Sequence, residues 1–186
     1  SVIEEFGRRL AERMGALTVG DGTRDGVDVG PLIDEAGLEK VTGLVADAVE
    51  RGATVLTGGE RVDGPGFFYR PTVLTGVPTE ARMASEEIFG PVAPLTPFST
   101  EEEAVALAND TPYGLVSYVY TNDLRRALRM AEAIESGMVG LNQGVVSNPY
   151  APFGGIKESG LGREGGPVGI DEYLETKYVG IAMPQA

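Results

Sequence analysis

The 186 residues carry 42% hydrophobic and 23% charged side chains, the balance of a soluble globular domain able to bury one sizeable core. A net charge of -13 argues against a nucleic-acid partner, which needs a clustered basic surface. Zero cysteines and zero histidines remove disulfides, thiolate sites and the commonest transition-metal ligand, so no metal is expected. No apolar run approaches the roughly 20 residues of a membrane span, and the chain reads as cytoplasmic.

In chain order, Ile3, Phe6, Leu10, Met14 and Leu17 recur at helical spacing and predict a helix over 3–16. A second helix is predicted over 34–51, where Leu38, Val41, Leu44, Val45 and Ala48 form one stripe and Gly52 supplies a stop. Short strands are predicted over 53–56, 67–74 and 91–98, the last two constrained by their prolines. Thr100 and Glu103 suit a capping box for a helix over 101–109, and a strand over 114–121 follows. Asn122 or Asp123 caps a helix to about Ser136, ended by Gly137, and 138–141 is the next strand. Strand, helix and strand over such short connections read as a βαβ unit with parallel pairing. A helix near 165–173 and a late strand over 176–183 complete the chain.

The densest motif is SNPYAPFGGIKESGLGRE, Ser147 to Glu164, with four glycines, two aromatics and two cations. Such a run belongs to neither a packed helix nor a central strand, and is either an ordinary surface connection or a loop built around something. Within it GLGREG is formally a G-x-G-x-x-G match, but a polar loop precedes it and the chain ends too soon for a ribose-binding carboxylate, so it is rejected as a dinucleotide fingerprint. Lys157 and Arg163 suit anion binding or a structural tie to nearby carbonyls, and the structural reading is favoured. Glu86 and Glu87 stand side by side, yet adjacent residues point apart, so they do not serve as an acid and base pair.

PFGGIKESGLGRE resembles the C-terminal signature of the aldehyde dehydrogenase superfamily, and SEEIFGPV (Ser85 to Val92) resembles that family's cofactor-contacting segment. GPLID, GFFYRPTVL and NDTPYGL extend the resemblance over essentially the whole chain, with the succinate-semialdehyde dehydrogenases most similar. The resemblance implies an α/β fold: a three-layer catalytic-domain fragment over 1–174 with a mostly parallel sheet, and an oligomerisation strand and tail over 175–186. It implies NAD or NADP as cofactor, with Glu87 on the nicotinamide-side ribose hydroxyls and Phe89 near the nicotinamide. From the residues alone, Phe89 reads as a core aromatic.

It further implies that Ser147 lines the substrate tunnel and that Phe153 stands next to the reacting carbon. A serine hydroxyl donates to a distal carboxylate while leaving room for it; as a turn residue before Asn148-Pro149, it also suits a capping role. Family members attack the aldehyde with a cysteine, and this chain has none. The resemblance therefore implies a fragment, with the nucleophile and the N-terminal cofactor-binding domain outside it, no catalytic residue of its own, and a homo-oligomeric parent acting on a small aldehyde.

Overall fold

The computed structural model describes residues 2–183, and the chain divides into two compact units, 1–98 and 99–186. The first unit holds α1 (Ile3–Gly15), α2 (Glu35–Glu50), β1 (Thr54–Thr57), β2 (Thr72–Thr75) and β3 (Val92–Leu95). Asp34 accepts a hydrogen bond from Gly37 N at 2.8 Å and starts α2; Gly52, at φ +104°, turns the chain after it. The sheet order is β1-β2-β3, antiparallel between β1 and β2 and parallel between β2 and β3.

Because successive strand residues face opposite ways, β2 is buried from both sides. Leu74 joins Leu38, Val41 and Leu44 of α2 in the core. Val73 and Thr75 face the other side with Leu95, where Gly7 of α1 sits against Leu56 and Leu95. Helix, sheet and helix thus form three layers in this unit. The predicted strand over 67–74 starts only at Thr72, because Pro71 has no N–H for the ladder; Tyr69 instead bridges back to Arg61. Pro94 is tolerated because β3 is the edge strand.

The second unit runs α3 (Glu101–Asn109), β4 (Tyr113–Gly114), β5 (Val116–Val119), α4 (Leu124–Ala133), β6 (Met138–Leu141) and β7 (Ile156–Lys157), then a 3-10 turn over Pro167–Tyr173. Thr100 Oγ1 accepts from Glu103 N at 3.1 Å, and the Glu103 carboxylate accepts from Ser99 N at 2.7 Å, one residue before the N-cap that a standard capping box reaches. Asp123 is the cap of α4, accepting from the backbone of Arg125 and Arg126. β5, α4 and β6 form the predicted βαβ unit, with Val116 to Val119 in parallel register with Met138 to Leu141.

Three expectations change here. The strand predicted over 114–121 splits at Leu115, since β4 pairs antiparallel with β7 while β5 pairs with β6. Gly137 is not a helix stop: α4 ends at Ala133, and a Cβ on Gly137 would run into the Gly154 carbonyl, so the glycine serves a chain crossing. The strand expected over Thr176–Met183 makes no ladder among the described residues, and Tyr178 is 91% exposed. An extended segment becomes a strand only against a neighbour's N–H and C=O groups, and it has none here. The last residues of the expected 175–186 tail lie outside the described residues.

Tyr69 is 1% exposed, and its hydroxyl has no hydrogen-bond partner among the described residues. Burial, with the Glu60 charge second, pushes its phenol up to about 12. The folded state therefore keeps a proton that the unfolded chain releases near pH 10, so stability is complete below that pH and falls as pH rises through about 12. Tyr69→Phe is expected to leave stability at pH 7 unchanged or raise it by about 1 kcal/mol, and to flatten the alkaline loss. Urea unfolding at neutral and alkaline pH checks both.

Candidate functional site

In the first unit, the turn after Ala81 is fixed by contacts to α2. Arg82 N donates to Asp47 Oδ2 at 2.8 Å, and Met83 is buried below it. The Arg82 guanidinium donates to both Glu86 oxygens, at 2.8 and 3.0 Å, and these bonds hold the Glu86 carboxyl below its ordinary range. Ile88 packs on the core, and Gly90 brings the backbone so near that a Cβ would stand 2.6 Å from Val41 Cγ2.

Between these anchors Glu87 and Phe89 point outward. Glu87 is exposed and has no hydrogen bond or ion pair with a described residue, so its two oxygens are open to a ligand. Phe89 is 77% exposed and sits at φ +53°, a left-handed conformation costly for a bulky side chain. The neighbouring carboxylates thus diverge, Glu86 to Arg82 and Glu87 to solvent. Phe89 is not a core aromatic.

In the second unit, the parallel pair ends in a clasp. Asn142, at φ +53°, accepts from Thr121 N and donates to Thr121 O through its side-chain amide, both at 2.8 Å, while its own N donates to Val119 O. The loop that follows leaves from the carboxyl ends of β5 and β6, where open α/β sheets gather their ligands. Asn148 then shapes the turn: its side chain accepts from Tyr150 N at 2.9 Å and its carbonyl from Ala151 N at 3.0 Å. Ser147 is not the cap here. It is exposed, and its hydroxyl has no partner among the described residues.

Phe153 is half-buried and exchanges backbone hydrogen bonds of 2.7 and 2.8 Å with Glu164. It lines a pocket of about 360 Å³ together with Leu115, Ser159, Arg163, Glu172 and Tyr173. Arg163 Nη1 donates to the carbonyls of Gly155 and Gly162, both at 2.7 Å. Lys157 Nζ donates to the carbonyls of Asn109 and Thr111 and pairs with Glu135 at 2.7 Å. Both cations therefore hold backbone, as the structural reading expected. The GLGREG run crosses the loop as the strand partner of Phe153 and opens no α-helix, in line with its rejection as a dinucleotide fingerprint.

Residues 1–179 match the profile of the Aldehyde dehydrogenase family. The chain belongs to the aldehyde dehydrogenase family. It is 55% identical over 184 residues to the succinate-semialdehyde dehydrogenase of Paenarthrobacter nicotinovorans, covering 99% of this chain and 41% of that relative. It is 50% identical to a glutarate-semialdehyde dehydrogenase of Pseudomonas putida, covering 98% of this chain and 38% of the relative. Among solved structures, an Escherichia coli NADP-dependent enzyme superposes with a TM-score of 0.93 at 49% identity, over 98% of this chain and 38% of that one. The chain thus spans about two fifths of the length of these members of the aldehyde dehydrogenase family.

Glu87 and Phe89 share one turn of the first unit, and Ser147 and Phe153 share one loop of the second. Tyr150, 87% exposed between Ser147 and Phe153, was given no role from the sequence. The turn that Asn148 and Pro149 open is legible in the sequence, and in the structure it leaves Tyr150 exposed. If the Phe89 conformation is imposed by Ile88 and Gly90, Phe89→Gly should keep or slightly raise the unfolding temperature, whereas Phe89→Val should cost about 1 kcal/mol. Calorimetry of the two variants separates these outcomes.

Proposed function

We propose that the chain is the C-terminal part of an NAD(P)-dependent dehydrogenase that oxidises succinate semialdehyde to succinate. The observation that carries this reading is the Ser147 hydroxyl, exposed and unpartnered among the described residues on a loop whose turn is held by Asn148 instead. A hydroxyl so placed donates to the distal carboxylate of a short aldehyde. Relatives named for succinate and glutarate semialdehydes match at similar identity, which supports a short aldehyde with a second, anionic end.

The residues fit the nicotinamide cofactor. The open Glu87 carboxylate accepts two hydrogen bonds from vicinal ribose hydroxyls, and the exposed Phe89 ring offers a flat apolar contact two residues on. NAD or NADP, when bound, supplies the hydride acceptor. In this reading Ser147 orients the substrate, Phe153 walls off its aldehyde end, and Glu87 and Phe89 hold the cofactor. The nucleophile is a cysteine outside this chain, which has none.

Leu174, Tyr178, Val179 and Ile181 favour a second role for the same protein, since they lie exposed on a segment without a ladder partner among the described residues. In this reading residues 175–186 add a strand to a partner subunit of a homo-oligomer. A strictly monomeric species at high concentration in light scattering would count against it.

The purified 186-residue chain is expected to show no NAD(P)-linked oxidation of succinate semialdehyde; turnover would show that the nucleophile lies within it. In the whole protein, Ser147→Phe is expected to lower kcat/KM for succinate semialdehyde by about 10- to 100-fold, the loss of one hydrogen bond to a charged group, with a smaller effect on butanal. Unchanged activity on the semialdehyde would remove Ser147 from carboxylate recognition.

A further inference from the structure

We propose that Arg163 is the positioning residue that fixes Phe153, and through it the aldehyde end of the substrate site. The inference rests on the proposed function, in which Phe153 lines that site. Phe153 and Glu164 form an antiparallel pair that opens a hairpin register. Two residues further in on each limb, that register sets Gly155 opposite Gly162. In a ladder these residues would exchange N–H and C=O bonds. Here both carbonyls converge instead on one nitrogen, Arg163 Nη1, at 2.7 Å each.

Two carbonyl oxygens turned toward one point repel unless a cation stands between them, and bonds donated by a guanidinium are stronger than neutral ones. Arg163 also anchors its own backbone, since its N donates to Glu172 Oε1 at 3.1 Å. A Cβ on Gly154 would come within 2.9 Å of Arg163 Cδ, so the arginine stem lies against the limb that carries Phe153. The far end of the loop is held separately, where Lys157 reaches the carbonyls of Asn109 and Thr111. The neck of the loop therefore depends on Arg163. With the latch released, Phe153 keeps its sequence position and loses its fixed place. Small misplacements of this kind weaken substrate alignment even when the altered residue touches no substrate.

The test uses the whole protein, Arg163→Met and Arg163→Lys, with two readouts. Hydrogen exchange of the peptides holding Phe153 and Glu164 is expected to quicken at least tenfold in Arg163→Met, with a smaller change in Arg163→Lys. The peptide holding Asn142, whose amide bonds Val119, should be unchanged. In steady-state kinetics the KM for succinate semialdehyde is expected to rise about tenfold in Arg163→Met, with kcat and the KM for the nucleotide within about twofold, and Arg163→Lys recovering part of the difference. Unchanged exchange at Phe153 and Glu164 overturns the latch, whatever the enzyme's substrate. Faster exchange with an unchanged aldehyde KM overturns the positioning role. Should the unaltered protein oxidise no semialdehyde, the proposed substrate falls and the exchange result still decides whether Arg163 holds Phe153.

Discussion

Backbone approach closer than a Cβ permits is the constraint on which the Glu87 turn of the first unit and the Ser147 loop of the second each depend. In the first unit Gly90 lets the turn press on Val41, and Phe89, between Gly90 and the core-packed Ile88, points outward at a left-handed φ. In the second, Gly137 and Gly154 cross where a side chain on Gly137 has no room, and Gly155 meets the Ser159 Cβ at a distance only glycine tolerates. The glycines act less through flexibility than through missing volume. They let short segments bury their backbone polar groups in irregular structure and leave the intervening side chains free.

The fate of the cations follows from the same economy of space. Lys157 and Arg163 bind carbonyls, Arg82 binds Glu86, and Arg126 and Arg129 share Glu101. In an acidic chain this leaves hydroxyl and aromatic groups, Ser147 and Tyr150, as the exposed side chains of the loop. The two neighbouring carboxylates differ for the same reason. Glu86 is neutralised at short range by Arg82, while Glu87, one residue later on the opposite side of the chain, keeps its acceptors open.

Periodicity made the helices legible: α2 and α3 were readable to within a residue at each end, because apolar stripes and caps are local signals. β6 and the βαβ unit were equally clear. Strand limits were less so, since they depend on partners distant in sequence. Nothing local to Leu115 announces that β4 will pair with residues 156–157 and β5 with residues 138–141. Gly137 read as a stop because the chain it must pass lies 17 residues downstream. At the site, the residue types were visible in the motifs. What the sequence could not separate was the use of each hydroxyl and cation, because Ser147 and Asn148 are both good turn formers and only geometry shows that Asn148 does the work.

The loop after β6 takes its shape almost wholly from bonds to main-chain atoms: Asn142 to Thr121, Arg163 to Gly155 and Gly162, Lys157 to Asn109 and Thr111. Ser147 and Tyr150 take no part in it through their side chains. The bonded framework of the loop and its exposed side chains are thereby separable in heredity. The residues at 147 and 150 can be exchanged one at a time while every bond that folds the loop is retained.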